Sequence, residues 1–155
     1  MAVVDLVRRS PAPPAVVWDV VTDFAAYGQW MPLTRMRTDA GRPRPGWGFA
    51  GVSGLGPLSF SDSMLVTEWA PPTEGDGPGH GHGRFRVVKT GRLLGGWAQV
   101  DVEPDGAGSR LVWREDVVVR PLPFKRFFEP VLDRVSGWLY GRAVDAMLAR
   151  AAGRR

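Results

Sequence analysis

Residues 10–32 read Ser10-Pro-Ala-Pro-Pro-Ala-Val-Val-Trp18-Asp-Val-Val-Thr-Asp-Phe24-Ala-Ala-Tyr-Gly-Gln-Trp30-Met-Pro32, and this stretch decides the architecture. Pro13 and Pro14 suit the first turn of a helix, where an amide donor would be unpaired anyway. Val16, Val17, Val20, Val21 and Phe24 then recur at helical spacing, which predicts a short amphipathic helix. Asp23 to Gln29 forms a further helical turn, Gly28 loosens the chain, and Trp30 and Pro32 end it. The unit is helix, break, helix, with Val16, Val20 and Phe24 as packing residues.

Outward from this unit the pattern is sheet. Residues 2–8 are rich in β-branched side chains and suit a first strand. From Thr34 to Arg120 no helix-length periodic segment occurs, and strands are predicted at 34–38, 47–53, 58–69, 83–90, 94–103 and 110–119, separated by Gly and Pro clusters. Short connections imply antiparallel neighbours, because parallel pairing needs long crossovers, so the strands should form a meander. Residues 73–83 are Gly-rich and predict a mobile hairpin tip. That tip carries both histidines, His80 and His82, a poor metal site without a Cys or a third His, so no metal and no cofactor is expected.

Residues 124–152 return to helical periodicity. At roughly 100° per residue, Phe124, Phe128, Val131, Leu132, Val135, Trp138 and Leu139, continued by Ala146 and Ala149, fall on one broad face, with Glu129, Asp133 and Tyr140 opposite. Pro130 removes a backbone hydrogen bond, so either the helix begins near it or a short preceding helix is kinked there.

Composition bounds the function classes. The 155 residues are the size of one domain, residues 1–155, and 44% hydrophobic content supports a sizeable core. There is no cysteine, which excludes disulfides, thiolate metal sites and a cysteine nucleophile. No apolar run approaches the roughly 20 residues that span a bilayer, and Met1 to Arg9 has no secretory pattern, so a cytoplasmic protein without a transmembrane segment is expected. The net charge of +4 is local: residues 1–123 hold 13 basic and 13 acidic side chains, and 124–155 hold 7 and 3. That segment could face an anionic surface or be the solvated side of a helix; nucleic acid is not expected, while surface lipid contact stays open.

The Ala12-Pro13 step, the Val17-Trp18 pair, Asp23-Phe24 and Trp30 before Pro32 resemble the opening of proteins of the START and polyketide-cyclase superfamily. Residues 109–115, Ser-Arg-Leu-Val-Trp-Arg-Glu, are similar to that superfamily's penultimate segment. The resemblance implies an α+β helix-grip fold: a seven-stranded antiparallel sheet curled around a long C-terminal helix, with two short helices between the first two strands. It also implies a cavity for an apolar or amphipathic small molecule, but the fold does not choose between carriers and enzymes.

Polar groups on inward faces are then the informative ones. On strand 110–119, Leu111, Trp113, Glu115, Val117 and Val119 share one face, and Glu115 interrupts an apolar row. It would suit general acid or base work or hold a ligand hydroxyl, or it pairs structurally with a neighbouring Arg. Arg142 falls between Trp138 and Ala146 on the apolar helix face. It could hold a ligand carboxylate or enolate, pair with Glu115 or Asp62, or reach solvent past the helix end. On strand 58–69 the inward set is either Phe60, Asp62, Met64 and Val66 or the alternate one with three serines. Trp30, Trp47, Trp97, Trp113 and Trp138 could line a pocket, and Phe60, Met64, Val135 and Leu139 complete the expected ligand-binding set.

The leading expectation is a binder of a hydrophobic ligand with one polar or acidic group, as a monomer or homodimer. The second is a polyketide aromatase, cyclase or dehydrase in which Glu115, Asp62 or Arg142 assists proton transfer or stabilises an enolate. The third is an interaction module using the basic C-terminal face.

Overall fold

A computed structural model of the chain describes residues 2–73, 81–120 and 125–153, with side chains described for 4–73, 81–120 and 137–153. The strands are β1 (Ala2–Ser10), β2 (Thr34–Thr38), β3 (Gly48–Ser53), β4 (Phe60–Ala70), β5 (Gly83–Lys89), β6 (Leu94–Asp105) and β7 (Gly108–Val119). They form one antiparallel sheet in the order β1-β7-β6-β5-β4-β3-β2. The meander expected from the short connections is therefore present, and β1 and β2 stand at opposite edges. Helix α1 (Pro14–Val21) and a 3₁₀ helix (Phe24–Gln29) carry the chain from one edge to the other. Helix α2 (Lys125–Ala152) packs on α1 and β1, tied to β1 by an ion pair between Arg8 and Asp145 at 2.8 Å.

Local chemistry sets the helix-break-helix unit. Pro14 occupies the first turn of α1, and the Thr22 hydroxyl donates to the Trp18 carbonyl at 2.7 Å where the helix stops. The Asp23 carboxylate accepts from the Ala26 amide at 3.3 Å and caps the 3₁₀ helix. This places Phe24, 2% exposed, at the centre of an aromatic cluster, with its ring 4.3 Å from that of Phe49 and 5.4 Å from that of Phe85. Trp47 and Trp69 join it, and Trp18 packs on Trp69 and Phe85. The expected packing role of Val20 and Phe24 matches their burial.

The ambiguity in β4 is settled by register. Phe60, Asp62 and Met64 face the concave side, and Val66 is fully buried there. A bulge between Val66 and Glu68 then shifts the alternation, which turns Trp69 inward although it counts with the serines in sequence.

The face of α2 differs from the one read in the sequence. Val144, Met147 and Ala151 are buried and Tyr140 faces the sheet, whereas Trp138, Arg142 and Ala149 are exposed. Residues 140, 144, 147 and 151 follow i, i+4, i+7 and i+11, their own stripe. In this half of α2 the buried stripe lies roughly opposite the side that carries Trp138, Arg142 and Ala149. Pro130 lies inside α2, which begins upstream at Lys125. The expected hairpin tip falls largely on residues 74–80, outside the described residues, as does His80.

Candidate functional site

Between the sheet, α2 and the 3₁₀ helix lies a cavity of about 290 Å³. Its walls are mostly apolar. The 3₁₀ helix contributes Phe24 and Tyr27; β3 and β5 contribute Phe49, Phe85 and Val87; β7 contributes Trp113, Val117 and Val119; α2 contributes Leu139, Ala143, Val144 and Met147. The cavity reaches the end of the sheet where Thr34, Ser53, Phe60, Leu94 and Val119 stand at strand termini. Phe60, 40% exposed, stands at this opening. Exposed Leu33, Leu55, Leu58 and Leu93 lie on connections at the same end of the meander.

Among the described residues the charged groups that line this apolar space are Asp62, Lys89 and Glu115, and they form one cluster. The Lys89 ammonium lies 2.7 Å from Asp62 Oδ2 and 3.1 Å from Glu115 Oε1. The Lys89 and Glu115 side chains are 2% and 1% exposed, and Asp62 is 15% exposed. Glu115 is further held by the Trp113 indole, which donates to Oε2 at 3.2 Å, and its charge acts on the nearby Tyr140 hydroxyl. Asp62 is not so saturated: its Oδ1 is buried and has no hydrogen-bond partner among the described residues.

The sheet register makes the cluster reachable. Lys89 pairs with Met64 on β4, which makes Asp62 its diagonal neighbour on the same face. On the other side Lys89 pairs with Gly96 of β6, and Glu115 of β7 pairs with Ala98. Strands are spaced about 4.8 Å apart, so Lys89 must cross the whole width of β6 to meet Glu115. Gly96 and Ala98 present only a hydrogen and a methyl there. Gly96 is further constrained by φ +108°, and a Cβ on it would lie 1.8 Å from the Asp116 carbonyl oxygen.

Electrostatics fix the protonation of the donors. Burial is the largest influence on Lys89 and disfavours its charge, but the combined pull of Tyr140, Glu115 and Asp62, with the hydrogen bond to Asp62, raises its pKa above the ordinary lysine range. Lys89 is therefore an ammonium, a hydrogen-bond donor and a local positive charge. The free amine that nucleophilic imine formation requires is disfavoured. Burial, then the charge of Glu115, pushes the Tyr140 hydroxyl above the usual tyrosine range, so it too remains a donor. Burial does the same to Tyr27, whose hydroxyl donates to the Val21 carbonyl at 2.5 Å.

Six of the residues expected from sequence meet in the cavity: Phe60, Asp62, Met64, Trp113, Glu115 and Leu139. The structural pairing weighed for Glu115 exists, but its partner is Lys89 and not an arginine. Five expectations are corrected. Trp47 is buried in the aromatic cluster, where packing with Phe24 and Phe49 claims its face. Trp30 packs against the core under the guanidinium of Arg150, 5.8 Å from its ring. Trp97 lies on the other face of the sheet beneath Arg86, because it alternates with the cavity-lining Ala98. Trp138 is 60% exposed, and Arg142 lies over its ring at 5.1 Å on the outer side of α2. Arg142 therefore meets neither Glu115 nor Asp62. Val135 lies outside the residues whose side chains are described.

Lys89 and Tyr140 are the site residues that sequence reading missed. Lys89 carried a usable signal, since it follows Phe85 and Val87 on one alternation of β5. Tyr140 was lost with the face of α2. His82 is taken up elsewhere, 3.2 Å from Asp101 Oδ1.

An antiparallel sheet that grips a long C-terminal helix over an apolar cavity defines the helix-grip class. The profile of the family described as "Polyketide cyclase / dehydrase and lipid transport" matches residues 1–152, and the chain belongs to that family. No curated protein matches the sequence. Among solved structures, the chain is similar to TTHA0849 from Thermus thermophilus, with a TM-score of 0.73 and 12% identity over 98% of both chains. It is similar to the Zhui aromatase/cyclase from Streptomyces sp. R1128, with a TM-score of 0.65 and 16% identity over 98% of this chain and 94% of that one. A START superfamily protein from Mycobacterium smegmatis gives a TM-score of 0.57 and 20% identity over 98% and 95%. At such identities the likeness is one of fold. Among the described residues no helix is long and apolar enough to cross a membrane.

Proposed function

We propose that this protein binds a small, largely apolar molecule in the internal cavity and orients it by one polar group at the Asp62–Lys89–Glu115 cluster. The observation that supports this reading is the concentration of all described charged lining in one place, against walls that are otherwise apolar. Such a site draws binding energy from burial and takes orientation from few polar contacts. The volume, about 290 Å³, is at the lower end of the range for drug-sized ligands, so a ligand of one or two rings suits it better than a sterol. We read residues 1–155 as one cytoplasmic domain for this task; the packing of α2 on α1 and β1 supports treating the ends of the chain as one unit. A panel of small aromatic compounds screened by native mass spectrometry and displacement of a fluorescent probe tests the reading. Saturable one-to-one binding, lost when the cavity is filled by Ala143→Leu, is expected; no binding by any compound overturns it.

The same cluster favours a second reading, as a cyclase or dehydrase. An ammonium and two carboxylates in contact within an apolar cavity could polarise a carbonyl and accept a proton from the adjacent carbon. Glu115→Gln should then abolish turnover of a polyketide-like substrate while the protein stays folded, and unchanged turnover excludes that residue.

A further inference from the structure

The cluster also carries information about the ligand's polar group. Its formal charges are one ammonium and two carboxylates, one negative charge in excess, inside walls that are largely apolar. Glu115 faces Lys89 through Oε1 and accepts from the Trp113 indole through Oε2. Asp62 has Oδ2 on Lys89 and Oδ1 buried, with no hydrogen-bond partner among the described residues. A buried acceptor must be paired, by water in the cavity or by a donor on a bound ligand, and its place in the cavity wall aims this one at a ligand.

We propose that the ligand presents a neutral hydroxyl, that of a phenol, an enol or an alcohol, which donates to Asp62 Oδ1 and accepts from Lys89. This deepens the proposed function and rests on the cavity being the ligand site. The complementarity is two-sided. An ammonium carries three N–H groups; Lys89 donates one to Asp62 and faces Glu115 as an ion pair, which leaves an N–H for a ligand oxygen. A hydroxyl both accepts and donates, so a single oxygen satisfies both Asp62 and Lys89. A carboxylate ligand cannot donate to Asp62, and it would bring a second excess negative charge into an apolar space. A ligand ammonium can donate to Asp62 but cannot accept, and it would stand beside the charge of Lys89. The inference thus departs from the acidic-group option drawn from sequence and excludes fatty acids in their ionised form.

Matched naphthalene probes test it by calorimetry near neutral pH: 2-naphthol, naphthalene, 2-naphthoate and 2-naphthylmethylammonium, each with the unmodified protein and with Asp62→Ala. In the unmodified protein 2-naphthol is expected to bind roughly tenfold or more tighter than naphthalene, consistent with a hydrogen bond to a charged group, and 2-naphthoate to bind weakest. Asp62→Ala should erase the advantage of 2-naphthol over naphthalene. If that variant does not fold, the rank order in the unmodified protein and the same comparison with Asp62→Asn decide the matter. Equal binding of 2-naphthol and naphthalene overturns the hydroxyl assignment while leaving the cavity as the ligand site. Tighter binding of 2-naphthoate also overturns it, and 2-naphthylmethylammonium matching or exceeding 2-naphthol shows that the excess negative charge, not the hydroxyl, is read. Failure of all four probes overturns the proposed function and this inference with it.

Discussion

The ammonium of Lys89 on β5 lies 3.1 Å from the carboxylate of Glu115 on β7, and the strand between them, β6, offers only Gly96 and Ala98 along that path. This contact makes one residue on each of two non-adjacent strands depend on the other. Taking two ions out of water is expensive, and the mutual attraction compensates only while both are present.

Removing one member should therefore cost more than removing the set. Lys89→Met leaves two buried carboxylates facing each other and is expected to destabilise by about 3–5 kcal/mol, read as a shift in urea midpoint. The triple change Lys89→Met, Asp62→Asn, Glu115→Gln should be less destabilising than Lys89→Met alone. Additive losses would show that the three groups act independently.

Alkaline pH should expose the same cluster. Lys89 and Tyr140 both have folded pKa values raised above their ordinary values near 10. A raised group holds its proton in the folded state after the unfolded chain has released it, so its stability contribution is full below about pH 10 and declines as pH rises beyond. Chemical denaturation between pH 8 and 11 should show this fall, and Tyr140→Phe should shallow it. An identical slope in the variant removes Tyr140 from the explanation.

Acid should act through a different group. Asp101 is 4% exposed on the face of the sheet away from the cavity. Burial pushes its carboxyl up, but hydrogen bonds from Gln99, Arg84 and His82, with the Arg84 charge, outweigh this and hold it below the usual range. Its contribution is therefore present above the unfolded value near 4 and is lost as pH falls through the folded one. Asp101→Asn is expected to be less stable at pH 7 and to lose less stability than the unmodified protein between pH 5 and 2, measured by thermal melting.

The outer face of α2 should be nearly silent. Arg142→Ala removes an exposed cation over Trp138 and is expected to cost about 0.5–1 kcal/mol, with ligand affinity unchanged. A tenfold loss of affinity would restore Arg142 to the site.

The parts legible in the sequence were those governed by local chemistry. The Pro14 start of α1 and the alternation that places Glu115 among Leu111, Trp113 and Val117 are both read directly from neighbouring residues. The misplaced parts depended on tertiary context. Nothing local announces the bulge between Val66 and Glu68 that turns Trp69 inward. Nor does composition distinguish Trp113, in the cavity, from Trp97, one strand away under Arg86. Lys89 was overlooked because a lysine at a strand end is ordinarily solvated; its burial becomes intelligible only when Asp62 and Glu115, 27 and 26 positions away, arrive beside it.

A crystal structure with 2-naphthol bound tests the central claim most directly. The account predicts the ring system between Phe24, Phe49 and the α2 face of the cavity, with its oxygen within hydrogen-bond distance of Asp62 Oδ1 and Lys89 Nζ. A ring seated outside the cavity, or a hydroxyl directed away from all three charged residues, would contradict it.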